Sequence, residues 1–175
     1  MVHISTKTYG HDIGLSCCFR QWRADSHCKY LHGYALAVRV EFEADELDER
    51  HWVVDFGSLK SFKGWLENTF DHRLLVAEDD PALTALQLLG DVKLAQIVIV
   101  PATGCEAFAQ MVYECAAIWL YANGYAPRVK VRSVEVREHG ANSAIYIEDK
   151  FITTETRYEE PKNPQQATTG GVGSD

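Results

Sequence analysis

Ala35-Leu36-Ala37-Val38-Arg39-Val40-Glu41-Phe42-Glu43 alternates strictly, with Leu36, Val38, Val40 and Phe42 on one side and Arg39, Glu41 and Glu43 on the other. A period of two with one apolar face is the pattern of a half-buried β-strand. That face needs a cover, so the rest of the chain is read for what supplies it. The acidic run Asp45-Glu46-Leu47-Asp48-Glu49-Arg50 predicts a solvated hairpin connection, and Trp52-Val53-Val54-Asp55-Phe56 the returning strand. Leu59, Phe62, Lys63 and Leu66 recur at helical spacing and predict a helix over 58–68, with Asp55 closing the strand before it. A second helix is expected from Thr103, read as the N-cap with Glu106 completing a capping box, through the stripe Phe108, Val112, Cys115 and Trp119 to the stop at Asn123-Gly124. Two further strands, 128–138 and 143–147, flank His139-Gly140-Ala141-Asn142. Two strands, two helices and two strands predict an α+β domain: an antiparallel sheet with two helices on one face. A parallel βαβ fold lacks the required alternation on this reading.

The chain has 175 residues, enough to bury a core without disulfide or metal staples. Its balance of 17 basic against 25 acidic residues gives a net charge of −8, which argues against general binding to nucleic-acid phosphates. No apolar run approaches membrane-spanning length, and Met1-Val2-His3-Ile4-Ser5 does not begin a signal peptide, so a cytoplasmic location with no membrane partner is expected. The five cysteines, Cys17, Cys18, Cys28, Cys105 and Cys115, show no CxxC spacing and read as reduced thiols, all but Cys28 being candidates for the core. Residues 159–175 are rich in Pro, Gln, Thr and Gly with few apolar side chains; they predict a disordered tail after a folded domain of 1–158. The segment 78–94 reads as an insertion able to form a loop over a pocket.

Three places carry chemistry. Cys28-Lys29-Tyr30-Leu31-His32-Gly33-Tyr34 sets a thiol four residues before an imidazole as a strand begins. Phe70-Asp71-His72-Arg73 puts a carboxylate beside an imidazole, a common way to fix a tautomer and raise basicity. Glu138 continues the row of Val134 and Val136, and an inward carboxylate wants a partner such as a planar ligand with several N–H donors. On the residues alone, these three also read as a surface loop, a helix-end cap and an exposed strand end.

Taken together, the segments resemble the 6-pyruvoyl-tetrahydropterin synthase family, and more closely its 6-carboxytetrahydropterin synthase branch in 7-deazaguanine biosynthesis. Leu15-Ser16-Cys17-Cys18-Phe19-Arg20 stands where that family has S-A-A-H-R, Cys28 to Tyr34 where it has C-x-x-L-H-G-H, and Trp52 to Lys60 where it has v-i-D-F-x-x-L-K. Phe70-Asp71-His72 fits L-D-H, Thr103-Gly104-Cys105-Glu106 fits P-T-x-E with one residue inserted, and Val136-Arg137-Glu138 with Ala144-Ile145-Tyr146 fits the terminal v-x-E-t and its closing strand. The resemblance implies the tunnelling fold, with subunits joined as a homo-oligomeric barrel and active sites between them. It implies a lyase acting on 7,8-dihydroneopterin triphosphate, with Cys28 as the catalytic thiol, Asp71 and His72 moving protons, and Glu138 and Glu106 holding the pterin. Lys29, Arg20 or Arg23 would meet the triphosphate. It also implies zinc on three histidines, but those positions are Phe19, His32 and Tyr34 here, and one imidazole does not make a zinc site. His27 or His11 beside His32, or a Cys17 thiolate, would give a rearranged set; otherwise the chemistry is metal-free. Two other readings stay open: a related pterin-processing enzyme without zinc, and a non-catalytic pterin- or purine-binding homologue.

Overall fold

The computed structural model describes residues 1–148, so the expected tail at 159–175 lies outside the described residues. The alternating stretch is the spine of the molecule. It lies in β3 (His32–Ala44), and Leu36, Val38, Val40 and Phe42 are completely buried. Thirteen residues are long enough for two partners on one edge: β2 (Leu15–Phe19) pairs antiparallel with the first part of β3, from His32 to Leu36, and β1 (His3–Tyr9) with Val38 to Ala44. The other edge takes β6 (Val129–Arg137), which continues antiparallel into β7 (Ser143–Tyr146). Beyond β2 lie β4 (Arg73–Ala77) and β5 (Ile97–Val100), both added in parallel. The result is a seven-stranded sheet in the order β5-β4-β2-β3-β6-β7, with β1 also on β3.

Two helices cover the apolar face. In α1 (Lys60–Phe70), Phe62, Leu66 and Phe70 recur every fourth residue and are buried, while Lys63 and Glu67 pair at 2.7 Å on the outer side. In α3 (Cys105–Ala122), Phe108, Val112, Ala116 and Trp119 make the inner stripe. Both helices share one core with the sheet, where the Phe108 ring meets Phe19 edge-on at 5.1 Å and Phe70 at 5.5 Å. The opposite face of β3 and β6 is charged and internally paired: Arg39 to Glu41 at 2.9 Å, and Arg137 to Glu135 at 2.6 Å.

Several expectations need correction. The returning strand over 52–56 does not form, because both edges of β3 from Val38 to Ala44 are already taken by β1 and β6. The segment is a loop instead. Asp48 Oδ1 accepts the N–H groups of Arg50 (2.9 Å) and Trp52 (2.8 Å), and the Arg128 guanidinium satisfies the carbonyls of Glu46, Trp52 and Val53 at 2.9 to 3.3 Å. Asp55 does end it as expected, accepting the Gly57 N–H at 2.8 Å in a 3-10 turn (Phe56–Leu59) that runs into α1. The sheet is mixed rather than purely antiparallel, since β4 and β5 are parallel strands joined through a third helix, α2 (Leu83–Asp91). The 78–94 segment is thus mainly the crossover helix of a βαβ unit, the topology the sequence pattern argues against. Finally, the capping box at α3 is not made. Gly104, at φ 112°, is the cap residue, and the Thr103 hydroxyl donates to the Arg20 carbonyl at 2.7 Å.

Candidate functional site

The inward face of β2 and β3 carries Cys17, Phe19, His32, Tyr34 and Leu36, with Phe19 opposite His32 and Cys17 opposite Tyr34 in register. At the Phe19 and His32 end this face meets the start of α3, where Phe108 packs on Phe19 at 5.1 Å, and the loop after β6, where His139 lies 5.8 Å from Tyr34. Glu138 follows β6 on the side of Val134 and Val136, its N–H donating to the Asn142 carbonyl at 3.2 Å. The Glu138 carboxylate is hydrogen-bonded to the thiol of Cys105, the first residue of α3. Burial, then the charges of Glu138 and Glu106, push the Cys105 thiol up to about 12; burial above all, with Cys18, Cys105 and Glu138, does the same to Cys17. Both therefore stay protonated near neutral pH, as a donor to Glu138 and as a core thiol. The Tyr34 phenol is also held above its ordinary value, by burial first and then by Glu138, Cys28 and Cys105, which puts all three within electrostatic reach of it.

Cys28 comes to this end through a short 3-10 turn (His27–Lys29) after β2. Ser26 Oγ accepts its N–H at 3.3 Å and its carbonyl accepts the Gln21 N–H at 2.9 Å. Gly33 lets the strands close behind it: a Cβ there would lie 2.6 Å from the Cys17 carbonyl oxygen. The segment is anchored by Arg20. Its guanidinium holds the buried Asp80 through two bonds of 2.8 and 2.5 Å, reaches the Lys29 carbonyl at 3.3 Å, and its own carbonyl takes the Thr103 hydroxyl. Asp80 is correspondingly held below the usual carboxylate range, chiefly by the hydrogen bond from Arg20. Of the cations considered for a triphosphate, Arg20 is thus committed to Asp80 and Arg23 to Asp79, whereas Lys29 is exposed, 5.4 Å above the Tyr30 ring.

Asp71 and His72 are brought together but lie elsewhere. His72 Nδ1 donates to Asp71 Oδ1 at 2.6 Å, which fixes the tautomer and leaves Nε2 as the basic atom, and the imidazole is 83% exposed. Its N–H donates to the Ser16 carbonyl, at the start of β2, whereas Cys28 bonds Gln21, past the end of β2. The strand from Ser16 to Phe19 alone spans about 10 Å. His72 instead lines a groove of about 480 Å³ with Gly90, Lys93, Leu94, Ala95 and Gln96. Within one chain, then, Cys28, Tyr34, Cys105 and Glu138 gather within electrostatic reach of one another at one end of β2, and Asp71-His72 lies at the opposite end. Glu106 is exposed in the first turn of α3, beside Cys105.

The three positions at which the resemblance places zinc ligands do converge, but not as ligands. The ring centroids of Phe19 and His32 are 5.0 Å apart, those of Phe19 and Tyr34 6.2 Å, and those of His32 and Tyr34 5.7 Å. Only His32 offers a nitrogen, and its Nδ1 donates to the Tyr30 carbonyl at 2.7 Å. Neither His27 nor Cys17 repairs the set: among the described residues no group of three or more His, Cys, Asp or Glu side chains is placed to hold a metal ion. These residues do not fit zinc. Sequence reasoning missed Cys105 as a partner of Glu138, Arg20 as an anchor, and Tyr34 as a participant. The last carried a signal, since it alternates with His32 on the strand.

The sheet, with paired helices on one face and long antiparallel strands at its centre, is a tunnelling fold. It superposes on a protein from Wolinella succinogenes with a TM-score of 0.72 at 23% identity, covering 85% of this chain and 99% of that one. It also superposes on the 6-pyruvoyl tetrahydropterin synthase of Plasmodium falciparum with a TM-score of 0.60 at 14% identity, covering 83% and 96%. Residues 11–149 match the model of the 6-pyruvoyl tetrahydropterin synthase family, and the chain belongs to that family. It is 29% identical over 140 residues to the 6-carboxy-5,6,7,8-tetrahydropterin synthase of Aquifex aeolicus, covering 78% of this chain and 85% of that one. It is also 41% identical over 54 residues to the enzyme of the same name from Rickettsia bellii, but spans only 39% of that protein's length. Among the described residues no helix is long and apolar enough to cross a membrane.

Proposed function

We propose that the protein is a 6-carboxytetrahydropterin synthase-like lyase acting on 7,8-dihydroneopterin triphosphate, at sites completed between subunits of a homo-oligomer. The observation that carries this reading is the Cys28, Tyr34, Cys105 and Glu138 half-site, held by four different segments at one end of the core. The likeness to the Aquifex enzyme along most of both chains supports the substrate class.

The chemistry follows from the residue types. The Glu138 carboxylate accepts two N–H bonds from the guanidine-like edge of a pterin, and the Cys105 thiol fixes its rotamer from behind. This sets the ring so that its side chain runs toward Cys28. Cys28, as the thiolate after giving its proton to solvent, takes a proton from a side-chain carbon and becomes a thiol again, while the C–H electron pair forms a C=C bond and the C–O bond to triphosphate breaks. The exposed His72 Nε2, with its tautomer fixed by Asp71, is a second proton carrier when presented by a neighbouring chain. Among the described residues β5 and β7 end the strand order, and these are the borders along which neighbouring sheets would join into a barrel.

The test is incubation of the purified protein with dihydroneopterin triphosphate, following triphosphate release, a carboxylated pterin and acetaldehyde by trapping. Turnover that disappears in Cys28→Ala, with pterin binding retained, supports the lyase. Ligand-induced stabilisation with no turnover in the wild type supports a binding homologue instead, and neither binding nor turnover refutes the pterin reading.

A further inference from the structure

Phe19, His32 and Tyr34 are not an eroded ligand set but a packed one. Phe19 is fully buried and stacks its edges against His32 at 5.0 Å and Phe108 at 5.1 Å. Tyr34 meets His32 edge-on at 5.7 Å and His139 at 5.8 Å, so the rings run continuously from the α3 core to the loop after β6. Centroid separations of this size are those of well-packed aromatic pairs, and of the three side chains only His32 offers a nitrogen ligand. His32 Nδ1 donates to the Tyr30 carbonyl at 2.7 Å, which leaves Nε2 as the single nitrogen the three side chains could offer a metal, one ligand where zinc needs three or four. The polar end of this wall is the Tyr34 hydroxyl, within electrostatic reach of Glu138, Cys28 and Cys105.

We propose that the chain has replaced a metal position by this aromatic wall, and that the Tyr34 hydroxyl supplies the substrate's side-chain oxygen with a neutral hydrogen-bond donor in place of a metal ion. The assignment of a donor role to Tyr34 rests on the pterin-lyase reading; the exclusion of zinc does not. A phenol can do this because it carries a proton at neutral pH and is held in place by rings on three sides, so that its bond strengthens as negative charge develops on the substrate oxygen. No bond to Tyr34 forms or breaks, and the proton stays on the phenol. Cys28 remains the group that takes the carbon proton.

Two measurements test this. The first uses Zn²⁺ alone. The full chain, dialysed against zinc-containing buffer and then against zinc-free buffer, is expected to retain under about 0.1 zinc per chain, and the double variant F19H/Y34H, which sets three imidazoles on one face of the β2–β3 pair, about one. Retention of about one zinc by the wild type, lost in His32→Ala, overturns the proposal. Should the double variant not fold, the comparison of the wild type with His32→Ala decides by itself. The second uses Tyr34→Phe, which keeps the ring in the wall. Its kcat with dihydroneopterin triphosphate is expected to fall about 10²- to 10³-fold with KM nearly unchanged, the size seen when one oriented donor is removed. Wild-type kcat in Tyr34→Phe overturns the role of the hydroxyl. If the wild type itself has no turnover, the lyase reading and the donor role fall together, while the zinc measurement still decides whether the wall excludes metal.

Discussion

Arg20→Ala is the most informative single change, because Arg20 joins three segments behind Cys28. Asp80 is 1% exposed at its side chain and Arg20 23%, and two charge-assisted bonds of 2.8 and 2.5 Å connect them. Removing one partner of a buried pair leaves an uncompensated charge at a cost of about 3–5 kcal/mol. Asp80 keeps the N–H of Ala82 at 2.7 Å and Arg20 is partly wet, so the lower end, about 3 kcal/mol, applies here. For a chain of this size that is a fall in Tm of about 6–12 °C. The pH dependence distinguishes lost pairing from lost packing. In the wild type Asp80 titrates below its ordinary value because of Arg20, so its contribution is whole above about pH 4 and disappears as pH falls through the lowered value. Without Arg20 the buried carboxyl titrates above its ordinary value, and acidification relieves the variant first. The stability gap between wild type and Arg20→Ala should therefore be widest at pH 7 and contract by pH 4. Urea unfolding at both values, followed by tryptophan fluorescence, measures it, and a cycle with Asp80→Ala and the double variant should yield a coupling of about 2–3 kcal/mol. A loss under about 1 kcal/mol, or one of equal size at both pH values, would refute the buried-pair argument.

Glu138→Gln keeps the shape but removes the charge from two N–H bonds, so pterin affinity should weaken about 10- to 100-fold; an unchanged Kd means Glu138 does not hold the ring. Cys28→Ala mixed one-to-one with His72→Asn, the latter chosen because Asn tolerates the left-handed φ of 56° at this position, should recover about a quarter of wild-type turnover if each site draws the two groups from different chains. Mixtures as inactive as the separate variants would show that the two half-sites do not meet. Gly33→Ala brings a methyl to 2.6 Å from the Cys17 carbonyl and should destabilise the protein by about 1–3 kcal/mol; denaturation at wild-type urea concentration would contradict that close approach.

What could be read from the chain alone follows from local periodicity. The 35–43 alternation, the α1 stripe of Phe62 and Leu66, the α3 stripe and its stop at Asn123-Gly124, and the final hairpin all appear where expected, because each buries one face at its own period. The candidate thiol, the Asp71-His72 pair and Glu138 were legible only as members of motifs, and nothing in the motifs told which of them share a site. The strands that were missed have no such rhythm. In β1 only Tyr9 is buried among Ser, Thr and Lys, and β5 is a short continuous apolar run, Ile97-Val98-Ile99-Val100, as parallel strands tend to be. The returning strand at Trp52 failed for the converse reason: an apolar run was present, but no free edge remained to pair with it.

The order of apolar and polar residues by itself therefore determined that this chain makes a long central strand under two helices, while the side chains proposed to move protons were picked out by their likeness to family motifs. Tertiary structure alone decided which of them meet. Cys105 approaches Glu138 only because α3 starts where β6 ends, Arg20 reaches Asp80 across sixty residues of sequence, and Asp71-His72 is carried to the far end of β2 from Cys28. Period is a property of neighbours along the chain, whereas these contacts depend on strand order and register, which form only when the whole sheet is assembled.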